Sequence, residues 1–209
     1  MSHLGYEIKK LGFGLMRLPK RGDNIDVEQV KIMVDRFLAD GFTYFDTAWA
    51  YPGSEDAIRQ ALVERHPREA FQLATKNAAW IKCKSREEAI GQFETSLRQT
   101  GAGYFDFYLL HNINEHSMSY YGNPENKYLD YFLEQKANGR IKHLGFSCHS
   151  AAEGLEQFLQ MCGDKMEFCQ IQLNYLDWTL QNAKKKCEIL KAHGLPVWVM
   201  EPVRGGRLA

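Results

Sequence analysis

Short runs of apolar and aromatic residues recur along the chain, and longer amphipathic segments separate them. Each run is four to six residues long, which is typical of a buried strand. Several of the segments between the runs place apolar residues three and four positions apart, the spacing of a helix that buries one face. The runs predict seven strands, at 11–15, 42–45, 71–75, 105–110, 143–146, 168–173 and 197–200.

Particular residues mark the boundaries of the helical segments. Ser85 and Glu88 have the spacing of a capping box, which indicates a helix start. Gly41 follows an apolar stripe and is typical of the position after a helix C-terminus. The pattern predicts helices at 27–39, 54–65, 85–99, 127–137, 151–161 and 180–193, and its longest predicted loop covers 112–126.

The alternation of strands and helices predicts repeated βαβ units around a parallel sheet, in the α/β class. Two architectures fit this order of elements, an open doubly wound sheet and a TIM-type (β/α)8 barrel. The open sheet calls for a GxGxxG turn directly after the first strand, but Gly12 and Gly14 lie inside the predicted strand. The barrel is therefore favoured, as a single domain over 1–209. Such barrels take about 250 residues, so we expect this one to be truncated after its seventh strand.

Composition narrows the functional classes. Lys plus Arg and Asp plus Glu both number 26, so no long-range field favours nucleic acid or an anionic membrane as a partner. The sequence shows neither a signal-peptide pattern nor an uncharged apolar stretch of membrane-spanning length, which predicts a cytoplasmic protein. The five cysteines are scattered without a CxxC pair, so we expect reduced thiols rather than disulfides or a metal knuckle.

Polar residues stand near the C-terminal ends of the predicted strands, where a barrel builds its active site. They are Asp46, Lys76, His111 and Ser147 directly after or near four of the runs, Gln170 and Gln172 in the sixth run, and Glu201 after the seventh; Tyr51 follows Asp46 by five residues. Taken singly, Asp46 fits a turn cap, Lys76 a solvated lysine and His111 a histidine satisfied by backbone. Tyr51 alone fits ordinary packing. Taken together, these residues predict one site, because the fold places them all at the C-terminal end of the barrel, which we call its mouth.

The chemistry of four of these side chains is mutually consistent. A tyrosine hydroxyl has an ordinary pKa of about 10, and a nearby ammonium such as that of Lys76 favours its phenolate. Asp46 could keep Lys76 charged and in place. His111 could donate a hydrogen bond to a substrate carbonyl oxygen as negative charge develops there. This set is suited to protonating an alkoxide.

Seven stretches that span nearly the whole chain resemble the aldo-keto reductase family, in that family's order. They read GFGLMRLP, FDTAWAYPGSE, LATK, FDFYLLH, GRIKHLGFS, QIQLNY and EPVRGGRLA. The family's catalytic Asp, Tyr, Lys and His match Asp46, Tyr51, Lys76 and His111. The sequences of these stretches are most similar to those of a bacterial subgroup whose chains continue into a C-terminal ferredoxin-like segment with iron–sulfur centres. This sequence does not contain that segment.

The resemblance implies hydride transfer from a nicotinamide cofactor, usually NADPH but otherwise NADH, to a small-molecule aldehyde or ketone, with Tyr51 as proton donor. Ser147 and Gln170 match the positions that hold the carboxamide, although Cys148 stands where the family usually has asparagine. Met200 stands where many members place an aromatic ring against the nicotinamide. Arg204 is a candidate for the pyrophosphate from the loop after the seventh strand, and a solvated loop is an equal alternative.

Three other interpretations remain open at the level of sequence. A noncatalytic cofactor-binding or regulatory module would keep the pocket without turnover. An aldolase-like lyase would use Lys76 as a Schiff-base lysine, which requires a desolvated amine rather than one paired with Asp46. A metal site built from Asp46, His111 and His149 is not favoured, because these residues lack a local ligand spacing. Exposed edges at the first and seventh strands predict self-association into a homo-oligomer.

Overall fold

Seven parallel strands form the centre of the structure, a computed structural model that describes residues 4–81, 83, 85–121, 123, 125 and 127–209. The strands are β1 Gly12–Gly14, β4 Tyr44–Asp46, β5 Gln72–Asn77, β6 Phe105–Ile113, β7 Ile141–Cys148, β8 Cys169–Gln172 and β9 Val197–Met200. They lie side by side in chain order, and each neighbouring pair is parallel. A short antiparallel hairpin, β2 Lys20–Arg21 and β3 Asn24–Ile25, stands apart from this sheet.

Helices connect successive strands and cover the outer face of the sheet. They are α1 Val27–Ala39, α2 Ser54–Ile58, α3 Arg86–Thr100, α4 Met118–Tyr121, α5 Tyr128–Ala137, α6 Ala152–Cys162, α7 Asp177–Leu180 and α8 Ala183–Ala192. Ser85 caps α3 as its spacing predicts, by accepting a hydrogen bond from the backbone N–H of Glu88. Gly101 then ends α3 in the left-handed conformation, with φ of 64°.

The main apolar core lies between the sheet and the helices. Successive side chains of a strand point to opposite faces, so every second residue of each strand enters this core. Phe45, Tyr108 and Phe146 do so from three strands, and Phe93 and Phe158 meet them from α3 and α6. The helices thereby bury the outer face of the sheet.

A second, smaller cluster shows that the sheet is curled. Tyr44 of β4 and Trp198 of β9 have ring centroids 5.0 Å apart. Five strand spacings separate β4 from β9, which would amount to about 24 Å in a flat sheet. Phe107 and Phe168 complete the aromatic cluster, and a Cβ atom at Gly145 would overlap the Phe168 ring. The inner face of the curled sheet is therefore packed with rings.

The predicted α/β class and the seven predicted strands are confirmed, with different boundaries. β6 and β7 are longer than predicted, so His111 lies inside β6 rather than after it. The predicted helix 54–65 is α2 followed by a π-helical turn at Arg59–Val63. The predicted helix 180–193 starts only at Ala183, because Asn182 has a positive φ of 50°. Within the described residues, β1 and β9 are the edges of the sheet and do not pair with each other.

The predicted loop 112–126 is partly ordered into regular structure. Its first two residues belong to β6, and residues 118–121 form α4. Residues 122, 124 and 126 of that predicted loop lie outside the described residues. The hairpin and the short helices α4 and α7 have no counterpart among the predicted elements, because elements of two to four residues are too short to show a period.

Two further expectations concern the whole chain. All five cysteines are described, and none of them forms a disulfide in the structure. That they are reduced thiols stays a prediction. In the described ranges, no helix combines the length and the apolarity needed to cross a membrane. Self-association through the edges of the sheet stays a prediction.

Candidate active site

Strand alternation explains why the candidate side chains converge. Tyr44, Ala74 and Leu109 belong to the inner cluster of the curled sheet. A residue two positions further along a strand faces the same side. Asp46, Lys76 and His111 stand two positions after these three residues, so they face the same interior at its C-terminal mouth.

Lys76 and Asp46 form the central ion pair of the site. The Lys76 Nζ atom lies 2.5 Å from Asp46 Oδ1 and donates a second hydrogen bond, of 2.8 Å, to the backbone oxygen of Thr47. Lys76 is 1% exposed. Burial alone would lower its pKa, but the Asp46 carboxylate and the Tyr51 hydroxyl more than offset this and hold the pKa of Lys76 above its ordinary value. Lys76 is therefore an ammonium at neutral pH.

The second oxygen of Asp46 is held from two other directions. The Tyr44 hydroxyl donates to Asp46 Oδ2 over 3.1 Å, and so does the Gln170 side-chain amide, also over 3.1 Å. These donors come from β4 and β8, whereas Lys76 comes from β5. Three strands together fix one carboxylate.

Tyr51 lies in the turn between β4 and α2. Its backbone N–H donates to the Ala48 oxygen, and its own backbone oxygen accepts from Ser54, the first residue of α2. The Lys76 ammonium lies 5.2 Å from the centroid of the half-buried Tyr51 ring. The ring of His111 meets the Tyr51 ring edge-on, with centroids 5.8 Å apart. The turn therefore brings Tyr51 next to both of its predicted neighbours.

His111 is held as a neutral imidazole. Burial, followed by the positive charges of Lys76 and His149, lowers the pKa of His111 to about 3. The His111 Nδ1 atom is buried and has no hydrogen-bond partner among the described residues. The backbone oxygen of His111 accepts hydrogen bonds from the Trp80 indole over 2.9 Å and the Tyr121 hydroxyl over 3.2 Å.

A bulge in β6 separates His111 from Ser147 on the neighbouring strand. The register between β6 and β7 shifts between Leu110 and Ile113, and Asn112 has a positive φ of 59°. The backbone N–H of Asn112 donates to the Ser147 hydroxyl over 2.9 Å. The bulge thereby orients the buried Ser147 side chain at the mouth.

Two buried side-chain acceptors on β6 and β8 lack a partner in the part of the chain that the structure describes. They are Gln170 Oε1 and Asn112 Oδ1. A buried acceptor without a donor carries a desolvation penalty, which a ligand N–H can remove. The side chains present therefore fit the carboxamide of a nicotinamide, whose amide nitrogen supplies two N–H donors.

Met200 and Arg204 lie at the same mouth but outside this hydrogen-bonded set. Met200 ends β9, opposite Gln172 in register. The Arg204 guanidinium lies 3.5 Å from Asp177, a fully buried carboxylate that also accepts a hydrogen bond from Gln172. Burial opposes ionisation of Asp177, but its amide donors and Arg204 hold the pKa of that carboxyl below its usual range. Arg204 is thus anchored by an acidic partner that the sequence did not indicate.

The residues that sequence reasoning missed are those that support the site rather than line it. Tyr44, Trp80 and Tyr121 each donate to an atom of Asp46 or His111. Trp80 comes four residues after Lys76, and this was the available signal, because residues after a strand lie at the same edge. Among the residues that the structure describes, no cluster of three or more His, Cys, Asp or Glu side chains is suited to a metal ion.

Comparison with known proteins assigns the chain to one family. The family model described as the aldo/keto reductase family matches residues 10–209. The chain belongs to the aldo/keto reductase family. Its curated relatives include an aldo-keto reductase of Mycolicibacterium smegmatis, 27% identical over 176 residues, which are 82% of this chain and 57% of that one. A probable aldo-keto reductase 1 of Glycine max is 27% identical over 152 residues, which are 68% of this chain and 42% of the other. This aldo/keto reductase chain thus spans about half the length of the curated relatives it matches.

Solved structures give the same fold. The holo form of an aldo-keto reductase from Bacillus halodurans superposes with a TM-score of 0.74 at 25% identity, over 97% of this chain and 65% of that one. An aldo-keto reductase from Klebsiella pneumoniae in complex with NADPH superposes with a TM-score of 0.72 at 23% identity, over 96% and 66% of the two chains. The curled sheet of this family member therefore corresponds to part of the TIM-type barrel of these reductases.

Proposed function

We propose that the chain is a carbonyl reductase that transfers a hydride from NADPH or NADH to an aldehyde or ketone, with Tyr51 as the proton donor. The observation that carries this proposal is the meeting of Tyr51 with Lys76 and His111 at the mouth. Membership of the aldo/keto reductase family supports the reaction type. The NADPH bound by the relative from Klebsiella pneumoniae supports the class of cofactor.

The reaction needs one hydride and one proton. When bound, the nicotinamide cofactor supplies the hydride to the carbonyl carbon, and the electron pair of the carbonyl π bond moves onto the oxygen. The Tyr51 O–H bond then breaks as the alkoxide takes its proton, which leaves a phenolate. The Lys76 ammonium stabilises this phenolate, and Asp46 keeps the ammonium in place.

His111 acts as a neutral hydrogen-bond donor in this scheme. Its imidazole remains uncharged through the neutral range, because its pKa is about 3. A neutral imidazole still carries one N–H, which can donate to the carbonyl oxygen as that atom gains charge. The Trp80 and Tyr121 bonds to its backbone oxygen hold His111 at this point of β6.

Several side chains of this chain would hold the cofactor. Gln170 and Asn112 offer the carboxamide acceptors that have no partner among the residues the structure describes, and the Ser147 hydroxyl lies between their strands. Met200 would cover a face of the nicotinamide with its thioether. Arg204 would donate hydrogen bonds to the pyrophosphate from the guanidinium N–H groups that do not contact Asp177.

The alternative is a noncatalytic cofactor-binding or regulatory module. The module would retain nicotinamide binding through the same acceptors and would lack turnover. Binding and turnover therefore have to be measured separately.

The deciding experiment titrates the purified chain with NADPH and with NADH, following protein fluorescence. Consumption of the reduced cofactor is then measured with a panel of aldehydes, ketones and quinones. Saturable binding with carbonyl-dependent oxidation of the cofactor supports the reductase. Saturable binding without oxidation for any carbonyl supports the module, and the absence of binding contradicts both.

A further inference from the structure

Tyr44 lies beneath the active site and faces the same interior as Asp46. It precedes Asp46 by two residues on β4 and is 7% exposed. Its ring packs edge-on against Phe107 and Trp198, with centroid distances of 5.6 and 5.0 Å. On the other side, a Cβ atom at Gly12 would overlap the Tyr44 ring. The ring is therefore enclosed, and its hydroxyl has a defined position.

The hydrogen bonds of Asp46 divide between its two carboxylate oxygens. Oδ1 accepts a hydrogen bond from the Lys76 ammonium. Oδ2 accepts hydrogen bonds from the Tyr44 hydroxyl and the Gln170 amide. Gln170 is also a proposed cofactor contact, so its amide serves two partners. Tyr44 is enclosed by Phe107 and Trp198, away from the mouth. Of these two donors to Oδ2, the Tyr44 hydroxyl is therefore the one that does not also contact the cofactor in the proposed function.

The role of such a donor follows from the burial of the ion pair. A hydrogen bond from an O–H group to a carboxylate is stronger than one between neutral groups, and it fixes the orientation of the carboxylate plane. A carboxylate whose second oxygen loses its donor is a less stable anion and is free to rotate. Rotation of Asp46 would move Lys76 Nζ away from the position from which it faces Tyr51.

We propose that Tyr44 is a positioning residue of this enzyme, whose hydroxyl holds the Asp46 carboxylate in the orientation that places Lys76 beside Tyr51. This inference rests on the proposed reductase function. Tyr44 itself does not reach substrate or cofactor and acts through Asp46.

The ionisable neighbours of the Asp46–Lys76 pair are compatible with this role. Tyr51 faces the pair from the turn after β4, His111 from β6 and the buried Glu55 from α2. Burial, followed by the negative charge of Asp46, raises the pKa of Tyr44 well above its usual range. Tyr44 therefore remains a protonated donor at every pH at which the enzyme would be assayed.

The test compares Tyr44→Phe with a matched control, Tyr131→Phe. The Tyr131 hydroxyl donates to Glu94 over 2.8 Å on the helical outer layer, outside the site. For Tyr44→Phe we expect kcat to fall roughly 10- to 100-fold, the effect of losing a hydrogen bond to a charged group. The KM for the carbonyl and the Kd for NADPH should stay within about threefold.

The control variant should change none of these quantities. Wild-type kcat in Tyr44→Phe would overturn the inference. Equal losses of NADPH affinity, Tm and kcat would also overturn it, since they would indicate a purely structural role for the ring.

A second measurement separates failure of this inference from failure of the proposed function. The free energy of unfolding is measured by urea denaturation, in the full chain without cofactor, for Tyr44→Phe, Asp46→Asn and the double variant. We expect the double variant to lose less stability than the sum of the two single losses, because both substitutions remove or weaken the same hydrogen bond. This result would support the link between Tyr44 and Asp46 even if the wild-type chain reduced no carbonyl. Additive losses would overturn the link even in an active reductase.

Discussion

At the scale of single residues, the surroundings of each candidate decide between a structural and a chemical role. Lys76 is a buried ammonium bonded to Asp46, which rules out the solvated lysine that its isolated position in the sequence also allowed. Charged Lys76 likewise disfavours the Schiff-base interpretation, which requires a neutral amine. Asp46 accepts hydrogen bonds from three side chains and is therefore more than a turn cap.

The first prediction at this scale concerns the proton donor. Tyr51→Phe removes the acidic O–H while the ring keeps its packing against His111. Carbonyl reduction should fall about 100- to 10,000-fold, the usual contribution of a general acid, with the Kd for NADPH changed less than about threefold. Stopped-flow or steady-state oxidation of NADPH measures the first quantity and fluorescence titration the second. Tyr6→Phe is the matched control, since Tyr6 is 78% exposed; retained turnover in Tyr51→Phe would remove Tyr51 as the donor.

The second residue-scale prediction concerns the charge of His111. Its pKa of about 3 lies below the ordinary value of 6.5, so folding stability that depends on neutral His111 is lost as pH falls from about 6.5 towards 3. His111→Ala should lower kcat roughly 10- to 100-fold, because the carbonyl oxygen loses a donor. The shape of the kcat profile between about pH 5 and 8 should stay the same as in the wild type, because His111 does not titrate there. An unchanged kcat, or the loss of a limb near pH 6.5, would contradict this role.

At the scale of elements, buried polar contacts join α2 to the sheet behind the active site. Thr75 precedes Lys76 on β5, and its hydroxyl donates to Glu55 Oε1 over 2.6 Å. The other oxygen of Glu55 is buried and has no partner in the described part of the chain. Burial raises the pKa of Glu55, although the hydrogen bond from Thr75 opposes the shift. The start of α2 is thus fixed to β5 by a carboxyl that is costly to ionise.

A prediction about stability follows from this contact. A carboxyl whose pKa is raised by folding loses stabilisation as pH rises from its ordinary value of about 4.5 through the raised value. Glu55→Gln keeps an acceptor for Thr75 and removes the buried charge, so the free energy of unfolding should rise by about 1 kcal/mol or more at pH 8 and by less at pH 5. Urea denaturation at the two pH values measures this difference. The exposed Glu69→Gln is the matched control, and a loss of stability at pH 8 in Glu55→Gln would refute the argument.

At the scale of the whole molecule, the inner aromatic cluster links strands that are distant in the sheet. Trp198 of β9 contacts Tyr44 of β4 as well as Phe107 and Phe168. A Cβ atom at Gly5 would also come close to the Trp198 ring, so the N-terminal segment packs on the same cluster. These contacts hold the sheet in the curled form that brings β8 and Gln170 to Asp46.

The prediction at this scale is that Trp198→Ala destabilises the fold and the site together. Loss of the indole should lower the free energy of unfolding by about 3 kcal/mol, the low end for large aromatic truncations because Trp198 is only half-buried. Chemical denaturation followed by circular dichroism measures the loss. Trp178→Ala is the control, since Trp178 is 43% exposed. Equal stability of the two variants would show that the cluster does not maintain the curl.

Much of the fold and of the candidate site could be predicted because the relevant signals are local. The capping residue Ser85 and the apolar stripe before Gly41 placed α3 and α1. The rule that barrel sites form at strand ends then selected Asp46 and Lys76. That rule could not select Tyr44, because Tyr44 stands inside a strand rather than at its end. Its role becomes evident only from the hydrogen bond that its hydroxyl donates to Asp46 in the structure.

The sequence by itself determined the order of strands and helices, the parallel α/β class and the set of polar residues at the strand ends. Periodicity and capping act over a few residues, so one chain segment contains the whole signal. Only the tertiary structure decided that Gln170 donates to Asp46, which is 124 residues away, and that Trp198 reaches Tyr44. Such contacts depend on how far the sheet curls, and the curl arises from side chains of many strands packing at once.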